Sequence, residues 1–365
     1  MHVLALTKPD GRRLALYGRE VISGIGAAAS PQTGSVAANP HMRWHPLRGE
    51  WVAYAAHRQE RTFLPPPEYN PLRPGSDPAA PTELPEGRYD IAVFDNLFPT
   101  LTATAHDPPE LHIPTQPALG RCEVVVYSPD PDRSLAQLPI WHLDLLLAVL
   151  GDRTQKLGAE KTIRYVLPFE NRGAEMGVTL HHPHGQIYAY PMIPPTPARM
   201  LECEQEHLRR TGTGLLTGLL ASELEQRVRI LYEGEHAVAF VPPWARYPYE
   251  TWIAPKARSA FLHELDDDTR RDLGRALKVV LLKYDGLWQR PMPYVMAWYQ
   301  APTDGLSHPE CHLHAEILPA YRTRDKLKYL AGTELGAGMF ASDVLPEDAA
   351  ARLAAVDVGA RADVP

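Results

Sequence analysis

Apolar runs and polar breaks recur in one order at two places in the sequence. The first passage goes from the β-branched run "VVVYSPD" (124–130) through "LDLLLAVLGDRTQKLG" (143–158) and "TIRYVLPFENRG" (162–173) to "HPHGQIYAYP" (182–191). The second goes from "TWIAPKA" (251–257) through "DDTRRDLGRALKVVLLKYDGLW" (267–288) and "PYVMAWYQAP" (293–302) to "HLHAEILP" (312–319). The long segments predict helices and the short β-branched and aromatic ones predict strands. From Pro129 to His182 is 53 positions and from Pro255 to His312 is 57, so order and spacing together predict two duplicated α+β modules. A strand-like run precedes each, "YDIAVFDNLFP" (89–99) and "HAVAFVPPW" (236–244). Residues 197–234 read as two helices broken near "TGTG", and 345–356 as a last helix with proline and acids at its start. The predicted division is an arm over 1–40, a first module over 41–196, and a helical linker with the second module over 197–365.

Bulk properties narrow the classes. A length of 365 residues suits two to three domains or one duplicated fold, at roughly 150 residues per domain. No run of about 18 apolar residues is present, which removes membrane-spanning readings. The N-terminus lacks the charged-then-apolar order of a signal peptide, and a cytoplasmic protein is expected. Cys122, Cys203 and Cys311 form no CxxC pair and fit a reducing compartment. A net charge of −7 draws no nucleic acid, so an anionic ligand must meet a local basic cluster. Proline concentrates in residues 64–88, read as a stiff surface connector, and "GIGAAASPQTGSVAANP" (24–40) reads as a flexible arm.

The stretch "LHHPHGQIY" (180–188) departs from a core pattern. Side chains alternate across a strand, so His182, His184 and Gln186 share one face and His181, Pro183 and Gly185 the other. Pro183 cannot donate to a ladder, which places the stretch at an edge or a strand end, and Gly185 leaves room for close approach by a ligand. One histidine here is most simply a solvated edge residue; three polar groups in a row beside "FENRGAEMG" favour a ligand site.

His-Pro-His-Gly-Gln at 182–186, with "RWHPLRGEWVAYAAHRQER" (43–61), "VFDNLFP" (93–99), "FENRGAEMGVTLHHPHGQIY" (169–188), "VPPWARYPYETWIAP" (241–255), "HLHAEILP" and "KYLAGTE" (328–334), resembles the histidine triad superfamily and, within it, the galactose-1-phosphate uridylyltransferases. The likeness spans nearly all of the chain after about residue 40 and implies two tandem histidine-triad-like modules, each an antiparallel sheet with packed helices. It also implies a ping-pong exchange of the Leloir pathway of galactose metabolism. A histidine displaces glucose 1-phosphate from UDP-glucose, carries the uridylyl group, and passes it to a hexose 1-phosphate. The nucleophile maps to His184, with the carbonyl of His182 holding its second nitrogen as N–H. Gln186 would donate to a phosphate oxygen, and the sugar phosphate, ionising near about 6, leaves without a proton donor.

The resemblance assigns Arg58 and Arg61 to the diphosphate, reaching across the interface of a homodimer. Asn96 falls at the uridine end, and Phe169, Asn171, Gly177, Val178 and Thr179 on the loop before the nucleophile. Lys328, Tyr329, Ala331, Thr333 and Glu334 fall around the hexose phosphate, Thr333 replacing a tyrosine of well-known members. Family members that hold zinc use positions read here as Asn70, Arg73, Pro131 and His182, and their second metal uses positions read here as Met200, Tyr299, His314 and Glu316. Neither zinc nor iron ligand set is retained, and no metal cofactor is expected. "CHLHAE" (311–316) alone contains competent ligands, but strand alternation separates Cys311 from His312, and the repeat accounts for the histidines. Two other readings stand beside the transferase. One is a related nucleotidyl transferase or phosphorylase acting on another nucleoside diphosphate sugar or dinucleotide; the other is a non-catalytic nucleotide-sugar binding protein.

Overall fold

Among the described residues five α-helices form where apolar residues recur on one side: α1 (Ile140–Gly158), α2 (Pro195–Thr211), α3 (Leu215–Gln226), α4 (Asp267–Leu287) and α5 (Pro346–Ala354). The computed structural model describes residues 1–26, 30–31, 38–60, 65, 69–77 and 79–363. Asp266 caps α4 by accepting from the Thr269 amide at 2.7 Å, and Asp267 and Asp268 in the first turn complement the helix dipole. The break between α2 and α3 falls at Gly212, whose φ of +74° lies in the left-handed region where glycine carries no Cβ penalty.

Among the described residues one eleven-stranded antiparallel sheet runs through the molecule. Its strands in chain order are β1 (His2–Thr7), β2 (Arg13–Gly18), β3 (Ile91–Asp95), β4 (Arg121–Val126), β5 (Tyr165–Arg172), β6 (His184–Tyr190), β7 (Ile230–Glu233), β8 (Ala237–Phe240), β9 (Thr251–Pro255), β10 (Tyr294–Tyr299) and β11 (His314–Pro319). Across the sheet they stand in the order β1-β2-β3-β4-β6-β5-β10-β11-β9-β8-β7. From β3 and from β8 inward the order is the same, as a duplication requires. The halves join where β5 pairs with β10, Tyr294 opposite Arg172 and Ala297 opposite Phe169. Two modules thus share one sheet.

α1 and α4 cover one face, burying Leu146, Leu150, Leu277 and Val280 against Val125, Ile187, Ile253 and Ile317. On the other face of the first module, Leu14, Leu16, Phe94, Val124 and Val126 meet Leu72 and Leu84. The proline-rich connector is therefore more than a surface loop: Leu72 and Leu84 are 2% and 0% exposed. Part of it lies outside the described residues, as does much of the 24–40 stretch. The start of the expected arm is a β-hairpin on the sheet edge, β1 pairing with β2 from His2–Gly18 to Thr7–Arg13. No helix among the described residues is long and apolar enough to cross a membrane.

A buried ionic cluster ties that hairpin to the connector. Lys8 and Arg12, 2% and 6% exposed, both bond Glu83, Arg12 with two nitrogens at 3.1 and 2.9 Å. Removing the shared anion leaves Lys8 buried without its carboxylate and Arg12 with Asp10 alone at 2.7 Å, and an uncompensated buried charge typically costs about 3–5 kcal/mol. Glu83→Ala is accordingly expected to destabilise the fold by about that much, read as a lowered urea midpoint, with Glu83→Gln milder.

Candidate active site

The first turn of β6 and the last residues of β5 open onto a cavity of about 290 Å³. Its lining brings together Arg58, Asn96, Phe169, Asn171, Gly177, Val178, Thr179, His184 and Gln186, residues separated by up to 128 positions in the chain. Arg58, expected to reach into a partner's site, instead lines the same chain's cavity from a short 3₁₀ segment (Ala56–Glu60), its guanidinium donating to the Phe98 carbonyl at 2.7 Å. Asn96 turns its side-chain oxygen to the Phe98 amide, 2.8 Å away. Gly177 closes a 3₁₀ turn at φ +76°, and its open side would admit a ligand to the backbone. Arg61 lies outside the described residues. His184, Asn171, Val178 and Leu180 also border a second cleft of about 940 Å³, so His184 stands where two spaces meet.

β6 begins at His184 inside the sheet, between β4 and β5, with Pro183 immediately before it; of the two positions open to that proline, the strand end is the one observed. His184 Nδ1 lies 2.7 Å from the His182 carbonyl oxygen, so Nδ1–H donates there and Nε2 carries the lone pair. Burial lowers the His184 pKa below the ordinary imidazole value and keeps the ring neutral. His182 is itself fixed at both nitrogens: Nε2–H donates to the Ser128 carbonyl at 2.7 Å, and Nδ1 accepts from the Asn70 side-chain amide at 3.2 Å. At 2% exposure its ring touches little solvent, and its contribution is the placed carbonyl. Asn70 and Ser128 in this relay are not legible as a set, because they come from the connector and the loop after β4.

Gly185 faces away from the cavity. A Cβ built there would fall 2.2 Å from Tyr127 Oη and 2.9 Å from the Phe169 carbonyl oxygen. The close approach that this glycine permits is thus by the protein's own tyrosine, which corrects the expectation of a ligand at that position. Tyr127 bonds the carboxyl of Glu170, which also accepts from Tyr294 Oη at 3.0 Å. Burial pushes Glu170 up to about 7. This network, under β6, crosses from β5 to β10 and so links the two modules.

The family described as galactose-1-phosphate uridyl transferase, N-terminal domain, matches residues 32–194, and its C-terminal domain matches 201–362. The chain belongs to this family. A galactose-1-phosphate uridylyltransferase of Thermotoga maritima is 36% identical over 325 residues, covering 87% of this chain and 98% of that protein. A solved uridylyltransferase structure superposes with a TM-score of 0.77 at 33% identity, over 87% of this chain and 98% of its own. An ADP-glucose phosphorylase from Arabidopsis thaliana, solved with bound ADP-glucose, gives 0.66 at 26% identity, over 88% of this chain and all of its own.

The uridylyltransferase halves repeat their hydrogen bonds but not their access. His312 Nε2 lies 2.9 Å from the Pro255 carbonyl oxygen and His314 Nδ1 2.9 Å from that of His312, echoing His182 and His184. In β9 and β10, however, Trp252 and Tyr299 occupy the register places of Val124 and Asn171. They stack on His314 at 4.8 and 5.4 Å and close it off. Glu316, in the place of Gln186, pairs with Arg246 at 2.9 Å. His314 Nε2 and Glu316 Oε1 face each other at 3.9 Å and have no hydrogen-bond partner among the described residues. Met200 and Tyr299 supply no imidazole or carboxylate, so this set does not fit a metal. At the other family position both His182 nitrogens are engaged, Asn70 donating where a metal would bind, and that set does not fit either.

Lys328, Tyr329, Ala331, Thr333 and Glu334 stand apart from the His184 cavity within one chain. Lys328 Nζ bonds Glu334 at 2.6 Å, and the Ala331 amide donates to the same carboxylate at 3.1 Å. These bonds hold the Glu334 carboxyl well below the usual range. Tyr329 and Leu335 on this segment are 73% and 62% exposed.

Proposed function

We infer that the chain is a galactose-1-phosphate uridylyltransferase, a nucleotidyltransferase that works through a uridylyl-His184 intermediate. The observation that carries this is the His184 ring, held by the His182 carbonyl at 2.7 Å at the junction of two spaces lined by Arg58, Asn171 and Gln186. Nε2 attacks the α-phosphorus of UDP-glucose, the N–P bond forms, and the bond to the glucose 1-phosphate oxygen breaks with its electron pair leaving on that oxygen. The Nδ1–H donated to a carbonyl eases the positive charge that the ring gains. The second half reverses these bonds with a galactose 1-phosphate oxygen as nucleophile. Gln186 and Arg58 meet charge on the transferring phosphate. Asn70 acts one bond further out, by fixing the ring whose carbonyl aligns His184.

A second copy of the chain completes the site in this reading. Support comes from the exposed apolar side chains beside Lys328 and Glu334, with Met339 71% exposed. A segment so placed reaches a hexose phosphate only in a partner.

The test is to mix protein and UDP-glucose without acceptor. One equivalent of released glucose 1-phosphate and a uridylate mass on His184 are expected; ADP-glucose giving the faster adduct would replace this reading with an adenylyl one. Rapid-mix rates of that half-reaction should fall only as pH drops through the lowered His184 pKa, because the neutral ring is the nucleophile. A limb centred at or above the ordinary value of about 6.5 would contradict the assignment. Asn70→Ala is expected to lower kcat about tenfold or more with KM little changed, the outer-shell range seen where a ring orienter is lost.

A further inference from the structure

The segment leading from β10 into β11 carries Asp304, His308, Glu310 and Cys311 within eight residues. It folds into a turn, the Cys311 amide donating to the His308 carbonyl at 3.2 Å. The turn gathers an imidazole nitrogen, a carboxylate oxygen and a thiol sulfur within 4.8 Å of one another. His308, Glu310 and Cys311 are 8%, 5% and 5% exposed. Outside this trio, the Glu204 carboxyl on α2 bonds the Cys311 side chain, and from there it could close on an ion as a fourth donor.

The second sphere is arranged as well. His308 Nε2 lies 3.0 Å from an Asp304 carboxylate oxygen, the contact that in metal sites fixes the tautomer and leaves the other ring nitrogen as ligand. That other nitrogen, Nδ1, faces Glu310 at 3.0 Å, and the same carboxylate oxygen accepts from Gln205 on α2 at 3.0 Å. Nitrogen, sulfur and carboxylate oxygens together suit a borderline-soft, tetrahedral ion and do not suit magnesium or calcium.

We propose that His308, Glu310, Cys311 and Glu204 form a zinc site that pins α2 to the entrance of β11, with Asp304 orienting His308. None of these residues is among Met200, Tyr299, His314 and Glu316, and the site has no part in uridylyl transfer. Zinc takes the place of the thiol proton and of a proton shared between His308 and Glu310, both released to solvent, while its charge offsets the thiolate and carboxylates.

The full-length protein, stripped with a chelator, is titrated with cobalt alone and then with zinc. One equivalent of cobalt should give tetrahedral bands with a thiolate charge-transfer band, and zinc should displace it. Cys311→Ser should lose the charge-transfer band, Cys203→Ser should keep it, and Asp304→Asn should weaken zinc binding about 10- to 100-fold. Circular dichroism shows whether each variant is folded. Because the wild-type titration stands by itself, an unfolded variant does not spare the proposal. No charge-transfer band in the wild type, or a band that survives in folded Cys311→Ser, overturns the site and leaves a protonated His308 paired with Asp304 and Glu310.

Discussion

Replacing His184 with alanine is expected to lower uridylyl transfer by about 10⁴-fold or more and to remove the protein-bound uridylate, the size of effect that follows loss of a nucleophile. The expectation rests on what else the cavity contains. His182 has both ring nitrogens engaged, by Ser128 and Asn70. Burial raises the phenols of Tyr69 and Tyr188, which makes them poor nucleophiles near neutral pH. Glu83 is committed to Lys8 and Arg12. The alanine variant keeps Arg58, Asn171 and Gln186, so its affinity for UDP-glucose should change little, separating loss of chemistry from loss of binding. His184→Gly leaves a ring-sized space beside the His182 carbonyl, and added imidazole should restore part of the rate by donating to that oxygen. Steady-state turnover of the alanine variant within tenfold of the parent would remove His184 from the mechanism, whatever the fold.

What the sequence discloses here follows the range of the interaction. Helical periodicity is local, and the helices read at 143–158 and 267–288 form at Ile140–Gly158 and Asp267–Leu287. The repeat is visible because both copies keep their order of apolar runs. That β5 and β10 close the modules into one sheet is not visible, because pairing Phe169–Arg172 with Tyr294–Ala297 depends on edges that no short window encodes. The hairpin at 2–18 was hidden by the weak resemblance of that region, and its anchor, Glu83, is 71 positions away from Arg12. In the site, the described residues carried by the resemblance gather around His184 where they lie in the first module, and the Lys328–Glu334 group does not join them in a single chain. The silence of the second module could be read only in three dimensions, because His312 and His314 keep their spacing while Trp252 and Tyr299 close over them.

Gly185→Ala separates the two accounts of that glycine. The added methyl would lie 2.2 Å from Tyr127 Oη and 2.9 Å from the Phe169 backbone oxygen, too close for either, and the backbone oxygen belongs to the paired strand β5. Overpacking of this kind typically costs about 1–3 kcal/mol. Relief by moving β6 off β5 would carry His184 with it, and a displacement of about 1 Å is worth about 100-fold in rate. The expected result is a fall in kcat of about that size with a lowered unfolding midpoint and nearly unchanged affinity for UDP-glucose. Tyr127→Phe removes the clashing oxygen; alone it should cost only about 1 kcal/mol, since Glu170 keeps its bond from Tyr294. In the double variant the part of the loss owed to Tyr127 Oη should return, while the Phe169 backbone oxygen at 2.9 Å keeps the rest, a coupling of about 1 kcal/mol between the two changes. Were the glycine instead needed for a ligand to come close, the methyl would raise the dissociation constant for UDP-glucose and the phenylalanine would rescue nothing. Binding and turnover measured across the four proteins decide between a strand held in place by its own tyrosine and a strand bared for its substrate.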